Sequence, residues 1–457
     1  MKELTLAQLA AWCGAPLCAE QENITVRGVS IDSRTVKPGD LFIALRGEHT
    51  DGHAFLDQAA KAGAAAALVT ENVQSELPCL TVDDTLAAFG KIAAGYRRLL
   101  GVRVIGITGS VGKTTTKEMT ACALETTLST VKSEANYNNN LGLPLSIMRI
   151  EEDTEVAVLE LGMNHFGEMT YLSEMAAPDI AVITNIGTMH IEHLGSREGI
   201  LQAKLEILRG LQKDGVCVFN GDEPLLWNIR GSGSHTKYYY GIENAACDVV
   251  AEGIQELEDG MRFHVTGFGH SFEMFVPVLG RHVVYNSLAA ITSALLLKIK
   301  PETLQSQLDG FRNTGMRQKI YDHNGIRIIE DCYNAGPESM EAALNVLESI
   351  RTEGRRIAVL GDMLELGNRS SAEHYRIGRL CALKADMVLT YGAHSRRTMI
   401  GAITGGMNPR YAQHFDTHEE LVRILKLRAK EGDVLLFKGS HGMKMERALQ
   451  MFLAEET

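Results

Sequence analysis

Gly106-Ile107-Thr108-Gly109-Ser110-Val111-Gly112-Lys113-Thr114-Thr115-Thr116 follows the apolar run Val102-Arg103-Val104-Ile105 and leads into Lys117-Glu118-Met119-Thr120-Ala121. The order is strand, glycine-rich turn, helix start. That is the setting of a phosphate-binding loop, in which backbone N–H groups surround the anion and the helix N-terminus adds partial positive charge. Gly109, Ser110, Val111 and Gly112 make the loop. Lys113 is placed to reach the outer phosphates and the Thr114 hydroxyl to ligate Mg²⁺, with Thr115 next in the first helical turn. The general pattern has a glycine five positions before Gly112. Here that position is Ile107 and the glycine is Gly109, so the loop is a shortened variant.

The same rhythm extends on both sides. Upstream, Gly28-Val29-Ser30-Ile31-Asp32-Ser33-Arg34 reads as a strand entering a turn, Pro38-Gly39-Asp40 as a second turn, and Leu41 to Leu45 as a short apolar strand. A helical pattern over Phe55 to Ala62, a buried strand over residues 64–69 and a helix over Thr85 to Leu100 complete a small α/β unit and its exit. Downstream, Val156 to Leu161 and Ile180 to Asn185 are near-continuous apolar runs, as suits parallel strands buried on both faces. Beyond residue 312 four more strands are expected, at Ile326 to Asp331, Arg356 to Gly361, Met387 to Tyr391 and Asp433 to Phe437, separated by helices. The expectation is an α/β chain of three domains. These are a small N-terminal unit (1–82), a central P-loop domain with a doubly wound, mostly parallel sheet (83–312), and a C-terminal Rossmann-like domain (313–457).

Composition narrows the function classes. The 457 residues suit about three domains. Hydrophobic residues are 45% and charged residues 22%, the profile of a soluble globular protein. A net charge of −12 argues against a nucleic-acid backbone as partner. The eight cysteines are scattered singly without a CxxC, which signals neither zinc nor a disulfide framework and fits a reducing cytoplasm. The N-terminal Met1-Lys2-Glu3-Leu4-Thr5-Leu6 lacks a signal-peptide core, and no stretch approaches the roughly 20 apolar residues of a membrane span.

Polar residues at the ends of expected strands mark a site, because open α/β sheets bind ligands there. Glu160 ends an apolar strand, where a carboxylate is costly unless paired or metal-bound. Mg²⁺ takes oxygen ligands beside substrate phosphates, so Glu160 is a candidate ligand. Asn136 to Asn140, with Asn138 and Asn139 at its centre, forms an asparagine-rich loop before Gly142 and Pro144. His190 and His193 follow another strand, without a third soft ligand at regular spacing. Lys204, by spacing alone, reads as an exposed helical lysine. In the last third, Glu330 to Pro337, Gly361 to Gly367 and Lys438 to Glu446 all sit at strand ends, on the edge of a second sheet.

In this order the segments resemble the Mur ligases of peptidoglycan synthesis, over nearly the whole chain. The branch that adds D-alanyl-D-alanine to UDP-N-acetylmuramoyl-tripeptide is most similar. The segments that carry this are Asp32-Ser33-Arg34 with Pro38 to Phe42, Gly47-Glu48 with Asp51-Gly52-His53, Tyr333-Asn334-Ala335 with Pro337, and Gly361-Asp362-Met363-Leu364-Glu365-Leu366-Gly367. The resemblance implies a bacterial cytoplasmic enzyme that uses ATP and two Mg²⁺ ions on small-molecule substrates; a monomer is the default expectation, without nucleic acid or membrane. ATP phosphorylates the tripeptide's terminal carboxylate, and the amine of D-Ala-D-Ala attacks the acyl-phosphate. It implies Lys113, Glu160, His190 and Lys204 as catalytic residues. Thr114, Glu160, His190 and a carbamylated Lys204 would form the metal set. Asn286, Arg317, Asp331 and Asn334 would meet the nucleotide. Asp32, Ser33 and Arg34 would hold the UDP-sugar, and Asn138 and Asn139 the phosphates and acyl substrate. Cell shape and division follow from such a role. Three positions depart from the family pattern: His441 in place of a common Arg, Gly336 in place of Asn, and Val283 in place of Asn. A folylpolyglutamate synthase-like ligase is the alternative, and residues 1–80 argue against it. A non-catalytic nucleotide-binding module is a third reading, at odds with the retention of Lys113, Glu160, His190 and Lys204.

Overall fold

The structure is a computed structural model that describes residues 1–47, 50–71 and 73–454. It divides into two compact units. One comprises Met1–Thr108, Leu124–Val182 and Leu205–Cys217; the other comprises Gly109–Ala123, Ile183–Lys204 and Val218–Thr457.

The first unit opens with a two-stranded antiparallel ribbon, β1 (Leu4–Thr5) against β2 (Thr25–Val26). Between them the helix Leu6–Cys13 starts at a capping box formed by Thr5 and Gln8 and stops at Gly14, whose φ of 78° is left-handed. Then β3 (Gly28–Ser30), β4 (Asp40–Ile43), β5 (Ala66–Val69) and β6 (Cys79–Thr81) form a four-stranded, wholly parallel sheet in sequence order. Strands β4 and β5 are buried throughout, and Phe42, Ala67 and Val69 pack with Leu56 and Ala59 of the helix Leu56–Lys61. The expected helix at residues 55–62 is therefore present, preceded by a 3₁₀ turn over Gly52–Phe55. Glu48 of the Gly47-Glu48 motif lies outside the described residues.

The helix Thr85–Leu99 leads on, its first turn capped by Asp84 Oδ1, which accepts from the N–H groups of Leu86 and Ala87. Next come β7 (Arg103–Thr108), β8 (Thr130–Lys132), β9 (Val156–Glu160), β10 (Ile180–Ile183) and the start of β11 (Val216–Asn220). Their order within this unit is β11-β10-β7-β9-β8, and β9 pairs in parallel with both β7 and β8. All five β9 residues are buried, as the apolar run predicts, so the strand end carries Glu160 inward rather than to solvent.

The second unit contains the helix Lys113–Leu124 up to Ala123 and, later, β12 (Thr236–Gly241), β13 (Val249–Glu256), β14 (Met261–Gly267) and β15 (His270–Val276). β12 is parallel to β13, while β13, β14 and β15 form an antiparallel meander. Its last sheet has the order β16-β17-β21-β18-β19-β20, where these are Lys319–His323, Ile326–Asp331, Val434–Lys438, Arg356–Gly361, Met387–Tyr391 and Ala412–Phe415. Only the β16–β17 pair is antiparallel. Alternate residues face opposite sides. Ile329, Ala358, Leu360 and Leu436 belong to one apolar cluster, and Ile328, Ile357, Val359 and Leu435 to the other. Helices cover both faces, which makes the sheet doubly wound. The expectation of four strands here is corrected to six. β16 and β20 are edge strands whose residues are mostly half-buried, and a search for continuous apolar runs passes over them.

Candidate active site

In the second unit the chain leaves β7 through a turn that only glycine fits. Gly109 has φ 152°, and a Cβ there would stand 1.9 Å from Thr184 Oγ1. Gly112 has φ 84°, and its Cβ would stand 2.5 Å from Asn286 Oδ1. The loop is held in shape from outside. Asn185 Oδ1 accepts from the N–H groups of Ser110 (3.1 Å) and Val111 (2.9 Å), Thr184 Oγ1 donates to Val111 O (2.6 Å), and the Gly187 N–H donates to Ser110 Oγ (2.9 Å). Lys113 Nζ folds back to Gly109 O at 2.9 Å. Thr114 is buried in the first turn of the following helix, and Thr115 is half-buried beside it. Asn286 lies beside the loop's last glycine, where its Oδ1 accepts from Thr116 Oγ1 at 3.3 Å. Thr184 and Asn185 open the polar strand-end segment that leads to His190, and sequence reasoning gave them no role in bracing the loop. Their signal is the abrupt change from the apolar Ile180–Ile183 to two polar side chains.

His190 stands at the start of the short helix Ile191–Leu194 with φ 63°, a left-handed conformation unusual for a residue with a Cβ. Its side chain is largely buried, and Nδ1 lies 2.6 Å from Glu365 Oε2, off the line of an ideal hydrogen bond. Burial lowers the His190 pKa. Glu365 opposes that shift, while the charges of Lys113 and Lys204 reinforce it. A neutral imidazole is the form a metal needs.

Lys204 corrects the sequence reading most directly: it is only 2% exposed. It lies on the buried face of the helix Arg197–Leu205 with Ile200 and Ala203. Burial holds its pKa well below the ordinary lysine range, and the Lys113 charge pushes the same way. Among the described residues it makes no side-chain hydrogen bond or ion pair. A buried amine without a structural partner costs stability that a purely structural lysine would not repay.

At the C-terminal edge of the last sheet, Asp331 and Lys438 end neighbouring strands in register, with Oδ2 and Nζ 2.5 Å apart. Lys438 also donates to Asn334 O (3.0 Å). The Arg317 guanidinium stacks 3.9 Å above the Tyr333 ring, and His441 lies 6.0 Å from that ring. His282 is half-buried, its burial lowers its pKa, and its Nε2 lies 3.0 Å from Gln318 Oε1. Arg317, Asp331 and Asn334 are thus gathered at one sheet edge, together with Tyr333 and Lys438.

The first unit holds the remaining candidates. Glu160 is 1% exposed, accepts from Asn138 Nδ2 at 2.8 Å, and is in register with Ile107. The Glu160 N–H donates to Ser133 Oγ. Asn139 Oδ1 caps the turn by accepting from the Leu141 and Gly142 N–H groups. In the small sheet's first loop Arg34 forks onto Asp32 with a shortest contact of 2.6 Å, which holds the Asp32 carboxyl down to about 2. Ser33 Oγ donates to Gln58 Oε1.

The donor set fits a nucleotide and a hard cation. A glycine turn closed to any Cβ, a helix start and a lysine suit phosphate. A buried carboxylate and a threonine hydroxyl suit Mg²⁺, which takes only a few protein oxygens and completes its shell from phosphate and water. Among the described residues no cluster of three or more His, Cys, Asp or Glu side chains forms a self-sufficient metal cage.

Comparison with known proteins agrees in every third of the chain. The description "Mur ligase family, catalytic domain" matches residues 25–97, "Mur ligase middle domain" matches 107–294, and "Mur ligase, glutamate ligase domain" matches 316–441. The UDP-N-acetylmuramoyl-tripeptide–D-alanyl-D-alanine ligase of Bacillus subtilis is 42% identical, over 94% of each chain. A crystal structure of MurF from Acinetobacter baumannii superposes with a TM-score of 0.91 at 31% identity, covering 100% of both chains. MurF from Thermotoga maritima in complex with ADP gives 0.82 at 28% identity, covering 94% of this chain and 97% of that one. A likeness of fold alone reaches the folylpolyglutamate synthase of Mycobacterium tuberculosis, at 13% identity and a TM-score of 0.64 over 81% and 95% of the two chains.

Proposed function

The chain belongs to the Mur ligase family, and from that premise we infer that it is the ATP-dependent ligase that joins D-alanyl-D-alanine to UDP-N-acetylmuramoyl-tripeptide in peptidoglycan synthesis. The observation that carries the chemistry is the buried, partnerless amine of Lys204 near Lys113 and His190. Full-length similarity to ligases named for this reaction carries the substrates. Nothing here favours the folate alternative.

The reaction must turn a carboxylate, a poor electrophile with a poor leaving group, into an amide. Phosphorylation by ATP supplies the leaving group; attack by the dipeptide amine then expels phosphate. Positioning and charge neutralisation do most of the work in such transfers. The loop N–H groups of residues 112–115, beyond the two that Asn185 holds, would cradle the nucleotide phosphates, and Lys113 would swing from Gly109 O to the outer ones. Thr114 and His190, and from the first unit Glu160, are the residues that would hold Mg²⁺, which would neutralise phosphate charge; two ions are expected. The depressed basicity of Lys204 leaves a neutral amine whose lone pair would form the N–C bond to CO₂, with one amine proton released to water, giving an anionic carbamate that would serve the second metal region. Arg317, Asp331 and Asn334 meet the nucleotide from the last sheet, with Asn286 beside the loop. Asp32, Ser33 and Arg34 bind the UDP-sugar, and Asn138 and Asn139 the acyl end.

We assign residues 1–82, 83–312 and 313–457 to the UDP-sugar, ATP and C-terminal domains. Among the described residues no helix is long and apolar enough to cross a membrane, and the reaction is placed in the cytoplasm, where its ATP is, with the enzyme acting as a monomer.

Lys113→Ala tests the loop assignment. It removes phosphate charge compensation at a half-buried site, so kcat should fall by about 10²–10³-fold or more, with an unchanged circular-dichroism spectrum and melting temperature. Appreciable residual turnover would refute the loop's role.

A further inference from the structure

The loop that carries His190 is met by the turn after β18, and the meeting point is conformationally unusual. Glu365, whose Oε2 lies 2.6 Å from His190 Nδ1, has φ 62°, and His190 itself has φ 63°. Histidine takes this conformation more readily than most residues, but glutamate does not. Beside them Gly367 (φ 52°) lies against Glu192, whose Cβ and Cγ would be 3.3 Å from any Cβ placed there. The left-handed Glu365 set against the left-handed His190 through a carboxylate and an imidazole places backbone strain at the glutamate, and such strain gathers at functional sites.

The fold does not need the Glu365 side chain to shape its turn. On one side the Met363 N–H donates to His374 Nε2 (3.0 Å) and the Leu364 N–H to Ser440 Oγ (2.9 Å). On the other side the 3₁₀ turn Gly367–Arg369 runs into the helix Ser370–Lys384. Glycine at 365 would relieve the backbone and leave these anchors in place.

We propose that Glu365 is a positioning residue for His190: by receiving the Nδ1–H it fixes the imidazole tautomer and leaves Nε2 with the lone pair that a metal would take. A carboxylate behind a ligating histidine orients the ring and raises its basicity as a ligand. Because Glu365 comes from the last sheet while His190 follows β10, the histidine is ready for metal only when that turn is in place. This rests on the metal role proposed above for His190.

The test is Mn²⁺ binding to the full-length protein saturated with a non-hydrolysable ATP analogue, read as free Mn²⁺ by electron paramagnetic resonance. Glu365→Gly should weaken a Mn²⁺ site by about 10–100-fold with a melting temperature at or above that of the parent. Glu365→Gln, which still accepts the Nδ1–H, should recover much of the loss. In turnover, Glu365→Gly should raise the Mg²⁺ needed for half-maximal rate and leave the KM for D-Ala-D-Ala unchanged. His190→Ala separates the two ideas. If it weakens Mn²⁺ binding and Glu365→Gly does not, the positioning role is wrong. If His190→Ala leaves Mn²⁺ binding intact, the metal role of His190 fails and the proposal with it.

Discussion

Lys204 shows how one side chain can contradict its surroundings. Ile200 and Lys204 are four residues apart, and Ile207 follows three further on, so the lysine lies within an apolar helical stripe. The stripe is short, and read by spacing alone Lys204 was an exposed helical lysine that only the family resemblance singled out. Glu160 was the opposite case, because a carboxylate closing five buried strand residues announces itself. The Glu365 contact had no local signal at all, since it joins residues 175 positions apart in sequence. Lys204→Ala should lower kcat by about 10²–10³-fold, and millimolar formate, acetate or propionate should restore part of it by replacing the carbamate. Full activity without rescue would show that the buried amine has no part in the chemistry.

Among the elements, the strand–loop–helix at residues 103–124 was legible because glycine placement, lysine and a preceding apolar strand agree. The structure adds what holds the loop. Thr184 and Asn185 come from the end of β10, and their hydrogen bonds occupy the Ser110 and Val111 N–H groups and the Val111 carbonyl. A methyl group at 109 collides with Thr184, so Gly109→Ala should displace this brace as well as strain the turn. ATP affinity measured calorimetrically should drop at least tenfold, and stability should fall by about 1–3 kcal/mol. Parental affinity would mean the loop accommodates the methyl group. The strands that escaped notice share a physical reason. β14 alternates buried and exposed residues and β15 nearly does, the mark of an antiparallel strand with one wet face. β16 and β20 lie at the edges of the last sheet. Continuous apolar runs reveal strands covered on both sides and miss both other kinds.

At the scale of the molecule, the parallel sheet β3–β6, the P-loop strand with its following helix, and the sheet β16–β21 fall one each within or at the start of the three family descriptions along the chain. Each contributes polar residues at strand ends, where open α/β sheets bind ligands, and the proposed division of labour between UDP-sugar and nucleotide rests on that placement. Fold alone does not choose the substrate, because a folate ligase shares the architecture at 13% identity. The choice rests on full-length similarity and on the small N-terminal unit. The most direct test is phosphate release from ATP and Mg²⁺ with UDP-N-acetylmuramoyl-tripeptide and D-Ala-D-Ala supplied separately and together. Release only with both, accompanied by the UDP-N-acetylmuramoyl-pentapeptide, is the predicted result. Silence with that pair, with turnover on a folate and glutamate instead, would contradict the assignment.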